Sequence, residues 1–207
     1  MTKHIIDIEN WERKEYYNFF GMMDNPFLGV TAKADFSQCY IQAKEDGESF
    51  MLYSLHKILR AVNAIPEFRY RIEDENVAIY DTISASSTIG RENGSFGFGY
   101  FNYYEDRKDF VSEAKKEVKR IKESSGLCLG KEEARMDLIY YSPLPWIDFT
   151  DISHAGNLAK GQSIPRITTG KLTETGNKLE MSVSVELNHG LADGYHVAQF
   201  FRLLNEI

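Results

Sequence analysis

Near the carboxy-terminal end, in the stretch SVELNHGLADGYHV (residues 184–197), His189 stands four residues before an Asp193-Gly194 pair. An unperturbed imidazole titrates near pH 6.5, so at neutral pH it can accept a proton. A histidine held on a short turn after a strand therefore fits a general base. Gly190 removes bulk beside it and tolerates strained backbone, and Asp193-Gly194 supplies a turn or a helix cap. The same spacing fits a hydrogen-bonded turn histidine beside a capping aspartate. The residues alone leave both readings open.

Other chemistries lack their residues. Cys39 and Cys128 are far apart and form no C-x-x-C, so neither a metal site nor a disulfide framework is expected, and a reducing compartment suits them. The chain has no G-x-G-x-x-G and no Walker sequence, which argues against dinucleotide and phosphoryl-transfer chemistry. The net charge of −7 lacks the basic footprint of a nucleic-acid binder. The one lysine-rich stretch, EAKKEVKRIKE (113–123), alternates with Glu and reads as a solvated helix face. With no apolar run at the N-terminus and none of about 20 residues anywhere, neither a signal peptide nor a membrane span is expected, and the reading is cytoplasmic.

The elements that must position His189 follow from periodicity. Leu179, Met181, Val183, Val185 and Leu187 alternate with Glu180, Ser182, Ser184 and Glu186, a strand leading straight to the histidine. Val197, Phe200, Phe201 and Leu204 mark a closing helix. Upstream, helices are expected over 11–23, from a Ser37 cap to about Gly47, over 49–65 and over 109–123. Strands are expected over 27–36, in a hairpin turning at 73–76, over 95–104 and over 136–142. The strand SFGFGYFNYY (95–104) carries internal glycines, which signal either a close approach by a ligand or backbone, or an irregular edge. A loop is expected over 148–164, then two strands over 165–187 around a turn near 174–177. No repeat or linker appears among the 207 residues, and strands and helices are interspersed without strict β-α-β order. This predicts one domain, residues 1–207, of α/β (α+β) class with a mixed sheet packed by helices.

The motif NHGLADG, with the residues after it, resembles the H-H-x-x-x-D-G signature of the chloramphenicol acetyltransferase family. Further stretches resemble that family in the same order: NWERKE (10–15), AVNAIPEFRYRI (61–72), SPLPWIDF (142–149) and PRITTGK (165–171). The terminal motif is also shared with dihydrolipoamide acyltransferases and peptide-synthetase condensation domains, whereas the Trp11/Arg13 and Ser142/Trp146 segments are more specific.

The resemblance implies a two-layer sandwich that assembles as a homotrimer with active sites at the subunit interfaces. It implies acetyl-CoA as co-substrate, no metal, and transfer of acetyl to a hydroxyl of chloramphenicol through a ternary complex. By the same resemblance His189 is the base, Ser142 hydrogen-bonds the oxyanion, and Thr168 binds a water beside it. Arg13 and Asp193 form a structural, bidentate pair, so Asp193 does not activate His189, whose tautomer its own backbone carbonyl fixes. Phe20, Phe96, Ile152 and His154 fall at acceptor-pocket positions, and Lys171 at a position associated with CoA.

Departures from the family pattern concern the substrates more than the reaction. Asn188 replaces the first motif histidine, Leu172 replaces a tyrosine associated with CoA, and Phe20 replaces a tyrosine that contacts the acceptor. His154 brings an imidazole to an apolar position. These changes keep two alternatives in view: the same chemistry on another small alcohol, and a non-catalytic trimeric homologue. A 2-oxoacid dehydrogenase acyltransferase core would normally bring a lipoyl domain and Ala/Pro-rich linkers, which this sequence does not contain.

Overall fold

A computed structural model of the chain describes residues 2–155 and 161–206. Its main sheet runs in the order β2 (Phe27–Asp35), β10 (Lys178–Asn188), β8 (Arg166–Thr169), β7 (Leu138–Pro143), β5 (Ser84–Gly90), β6 (Phe96–Phe101), with β9 (Thr173–Thr175) also paired to β10. The β5–β7 and β7–β8 pairs are parallel and the others antiparallel, so the sheet is mixed, as the interspersed pattern predicts. A second, three-stranded sheet joins β1 (Lys3–Ile5), β4 (Asn76–Tyr80) and β3 (Tyr70–Glu73).

One face of the main sheet is apolar and carries the helices. Val183, Val185, Ile167, Ile139 and Phe101 join one core cluster with Leu55, Ile58, Leu59 and Val62 of α3 (Phe50–Ala64), Phe110 of α4 (Arg107–Glu123), and Phe200 and Leu204 of α5 (Gly194–Glu206). Burial of such side chains is worth roughly 1.5–3 kcal/mol each, and it fixes the register, because a one-residue slip would turn every one of them outward. The opposite face carries a row of hydroxyls. Thr31 stands opposite Ser184, Ser184 opposite Thr168, and Thr168 opposite Ser142, on four successive strands.

Several expectations need correction. α2 (Ser37–Glu45) begins at Ser37 but is not capped by it. The Asp35 carboxylate accepts the Ser37 N–H (2.9 Å), while Ser37 Oγ accepts the Leu179 N–H (2.8 Å) and so ties the helix to β10. The strand expected from residue 165 breaks at Gly170. A side chain there would meet the Ile147 carbonyl at 2.9 Å, and that carbonyl instead accepts the Lys171 N–H. The glycines of β6 admit neither ligand nor backbone: at Gly97 the space is taken by the side chains of Arg91, Ile121 and Cys128. Of the loop expected over 148–164, residues 156–160 lie outside the described residues.

Two strands escape the periodicity altogether. β1 is three exposed residues, and β5 is a run of serines that becomes an inner strand with Ser84, Ser86 and Ser87 buried. The two sheets are bridged by Arg71. It is fully buried and donates to the carbonyls of Met136 (2.7 Å), Leu138 (2.6 Å), Tyr70 (2.6 Å) and Phe68 (3.0 Å). Burial pulls its pKa down to about 9 against the opposing pull of Tyr80 and Asp137. Among the described residues, no helix is long and apolar enough to cross a membrane.

Candidate active site

His189 sits one residue past the end of β10. Its N–H donates to the Pro26 carbonyl (2.7 Å), which prolongs the β2–β10 ladder, and its ring stacks on Phe20 of α1 (Lys14–Gly21) with centroids 3.9 Å apart and planes 7° from parallel. Gly190 lies outside the left-handed region, so its role is clearance rather than strain. A Cβ there would stand 3.2 Å from the Tyr17 Cα of α1. The close approach of α1 is what lays Phe20 over the imidazole.

Arg13 reaches this turn from the N-terminal side. Its Nη1 donates to Asp193 Oδ2 (2.9 Å) and its Nη2 to the His189 carbonyl (3.4 Å). The pair is therefore single-pronged on the carboxylate, not bidentate, because the second prong goes to the His189 backbone. The remaining Asp193 oxygen accepts the Tyr195 N–H (3.0 Å) at the start of α5 and lies 2.9 Å from His196 Nδ1. Burial alone would raise the Asp193 carboxyl. Arg13, His196 and the Tyr195 N–H outweigh it and hold the group below the usual carboxylate range. The His189 carbonyl accepts from Arg13, and His189 Nδ1 is buried with no hydrogen-bond partner on another described residue. Nε2 makes no hydrogen bond among the described residues.

Ser142 and Thr168 stand together in register on the parallel β7–β8 pair. Ser142 lines a cavity of about 830 Å³ with Phe96, Pro143, Leu144, Trp146 and Met181. Thr168 is fully buried under His154. The His154 ring is engaged at both nitrogens, Nε2 with Thr168 Oγ1 (2.7 Å) and Nδ1 with Glu186 Oε2 (2.7 Å), and Arg166 Nη1 donates to Glu186 Oε1 (2.7 Å). Ile152 is half-buried two residues before His154. Lys171 is exposed beside the cavity-lining Gly170. Among the described residues, no group of His, Cys, Asp and Glu side chains could hold a metal.

The expected pocket set thus divides in two within one chain. Phe20 stays with His189, while Phe96 and His154 stay with Ser142 and Thr168. Ser184 is level with Thr168, and His189 is five residues further along the same strand direction. At the strand rise this separates them by roughly 16 Å, too far for His189 to meet Ser142 in the same subunit. Sequence reading missed Glu186 and Arg166 as a pair. Both stand on the polar alternation of their strands, but only the β8–β10 register sets them opposite each other.

The family model described as chloramphenicol acetyltransferase matches residues 1–207. A chloramphenicol acetyltransferase of Clostridioides difficile is 29% identical over 98% of this chain and 94% of its own length. One from Escherichia coli is 26% identical over 98% of this chain and 90% of its own. A solved chloramphenicol acetyltransferase structure superposes with a TM-score of 0.93 at 37% identity, covering 99% of both chains. A dihydrolipoamide acetyltransferase of Azotobacter vinelandii shares the fold alone, with a TM-score of 0.67 at 12% identity over 93% of this chain and 85% of that one.

Proposed function

The chain belongs to the chloramphenicol acetyltransferase family, and from that premise we propose that it transfers the acetyl group of acetyl-CoA to a hydroxyl of chloramphenicol. It is an acyltransferase, and His189 is its base. The observation that carries the reading is the setting of that ring. It is held from behind by Pro26, Arg13 and the Phe20 stack, with Nε2 left to take a proton.

In the reaction, the acceptor oxygen attacks the thioester carbonyl carbon while Nε2 of His189 takes the hydroxyl proton. Negative charge develops on the carbonyl oxygen, and the Ser142 hydroxyl donates to it, a contribution of about 3 kcal/mol. The C–S bond then breaks, and the proton passes from the imidazolium to the leaving sulfur, giving an ester and free thiol. Base assistance of this kind is worth roughly 10²–10⁴-fold. The cavity beside Ser142 fits the thioester arm: its walls are largely apolar, and Lys122 stands on its lining. Lys171, exposed beside Gly170, is the candidate contact for CoA.

The site is completed between subunits of a homotrimer, with His189 from one chain facing Ser142 of the next. Two features support this: the roughly 16 Å separation along the strand, and the exposed apolar side chains of Trp146, Ile147 and Phe96, whose cover by a neighbour would explain their exposure. The two cysteines are free thiols, which suits a cytoplasmic protein.

The test mixes purified protein with acetyl-CoA and chloramphenicol and follows free thiol. Chloramphenicol-dependent release that disappears in His189→Ala is the expected result. Release that ignores chloramphenicol, or survives the substitution, refutes the reading. A second reading, the same chemistry on another small alcohol, is favoured by Phe20 at a tyrosine position and by the polar His154–Glu186 pair at the acceptor side; a screen of alcohols under the same assay decides it. The retained His189, Ser142 and Thr168 argue against a non-catalytic homologue.

A further inference from the structure

Arg166, Glu186, His154 and Thr168 form a continuous, partly buried chain of polar contacts, each about 2.7 Å, leading to the hydroxyl beside Ser142. The hydrogen positions follow from what each atom can do. A carboxylate only accepts, so His154 Nδ1 carries the hydrogen shared with Glu186. Thr168 is fully buried, and His154 Nε2 is the partner of its hydroxyl among the described residues. Were Nε2 also protonated, the Thr168 hydrogen would be a buried donor with no acceptor, an unfavourable arrangement. The network is satisfied throughout only when Nε2 is bare and Thr168 donates to it. Arg166 completes the assembly: it neutralises Glu186 and lies over the Phe27 ring at 4.7 Å, which leaves the carboxylate held from both sides.

We propose that His154 is a positioning residue for acetyl transfer: fixed by Glu186 in the Nδ1–H tautomer, it draws the Thr168 hydroxyl hydrogen onto Nε2 and so sets Thr168, the cross-strand neighbour of Ser142, as a hydrogen-bond acceptor toward the reacting groups. This role rests on the acetyl-transfer reading of the site, but the tautomer that underlies it does not.

Two measurements on the intact assembly test it. Nitrogen-15 NMR of histidine-labelled protein, with His154→Gln to assign the signal, reads the tautomer without any turnover. A protonated Nδ1 and bare Nε2 at neutral pH are expected, and a protonated Nε2 overturns the proposal whatever the enzyme acetylates. Kinetics read the consequence. His154→Leu should lower kcat about tenfold with KM for acetyl-CoA unchanged. His154→Gln, whose amide can donate to Glu186 and accept from Thr168, should recover to within threefold of wild type. In a Thr168→Val background, His154→Leu should cost no further activity. Equal losses in the Leu and Gln variants, or a full loss in the Thr168→Val background, overturn the proposal. Absence of turnover in the wild-type protein would instead refute the functional reading, and the NMR result alone would then decide the His154 tautomer.

Discussion

Arg13→Ala removes the contact that joins the two ends of the chain at the His189 turn. It deletes the Nη1 bond to Asp193 (2.9 Å) and the longer Nη2 bond to the His189 carbonyl (3.4 Å). The Arg13 side chain is 11% exposed and that of Asp193 29%, so the pair lies between a surface ion pair and a buried one. Exposed pairs contribute about 0–1 kcal/mol, whereas breaking a buried pair costs about 3–5 kcal/mol. Asp193 also keeps the Tyr195 N–H as a partner, so its carboxylate is not orphaned. The expected loss is therefore about 2 kcal/mol, or a fall in Tm of about 4–8 °C for a chain of this size.

Calorimetry of the two proteins at equal concentration measures this loss. A double-mutant cycle with Asp193→Asn isolates the pair. Activity should fall about tenfold in kcat, since among the described residues the His189 backbone then keeps only its Pro26 bond. The pH dependence has a definite sign. The folded Asp193 carboxyl is held below its ordinary value of 3.8, so its stabilising contribution is present above that pH and is lost as pH falls through the lower, folded value. The stability gap between wild type and Arg13→Ala should therefore narrow below pH 3.8. If the two proteins melt together at pH 7 with equal kcat, or if the gap persists unchanged under acid, the pairing does not hold the turn.

Ser142→Ala should lower kcat about 100-fold, the effect of one lost oxyanion donor, with little change in Tm, measured by thiol release and thermal melting side by side. Arg71→Ala strips the side-chain donors from four carbonyls. At about 1 kcal/mol each, urea unfolding should report a loss of about 4 kcal/mol. Gly97→Ala places a methyl 2.5 Å from Arg91 Nη2 and 3.1 Å from Ile121 Cγ2. Arg91 is anchored on the carbonyls of Ile121 and Gly126, so it cannot yield freely. A loss of about 1–3 kcal/mol is expected, against none if the space were open.

Some of this protein is written in its local sequence. The alternation from Leu179 to Leu187 specifies β10 because each apolar side chain of that period finds the helix layer. The stripe of Leu52, Leu55, Leu59 and Val62 specifies α3 for the same reason, and Pro66 bounds it. The turn chemistry around Asp193-Gly194 marks the start of α5, since a carboxylate can accept the Tyr195 N–H there. His189 stands out by its place between these two patterns. What only the tertiary structure decided is which distant residues share a space. The serines of β5 carry no strand pattern and become an inner strand because β6 and β7 supply their backbone partners. Gly170 ends β8 because a carbonyl from the loop after β7 occupies its Cβ position. Glu186 and Arg166 become a pair, and His154 finds Thr168, through register and loop packing that no local period encodes. The hydrophobic period is a property of neighbours in sequence, whereas the hydrogen-bond network of a site is a property of neighbours in space.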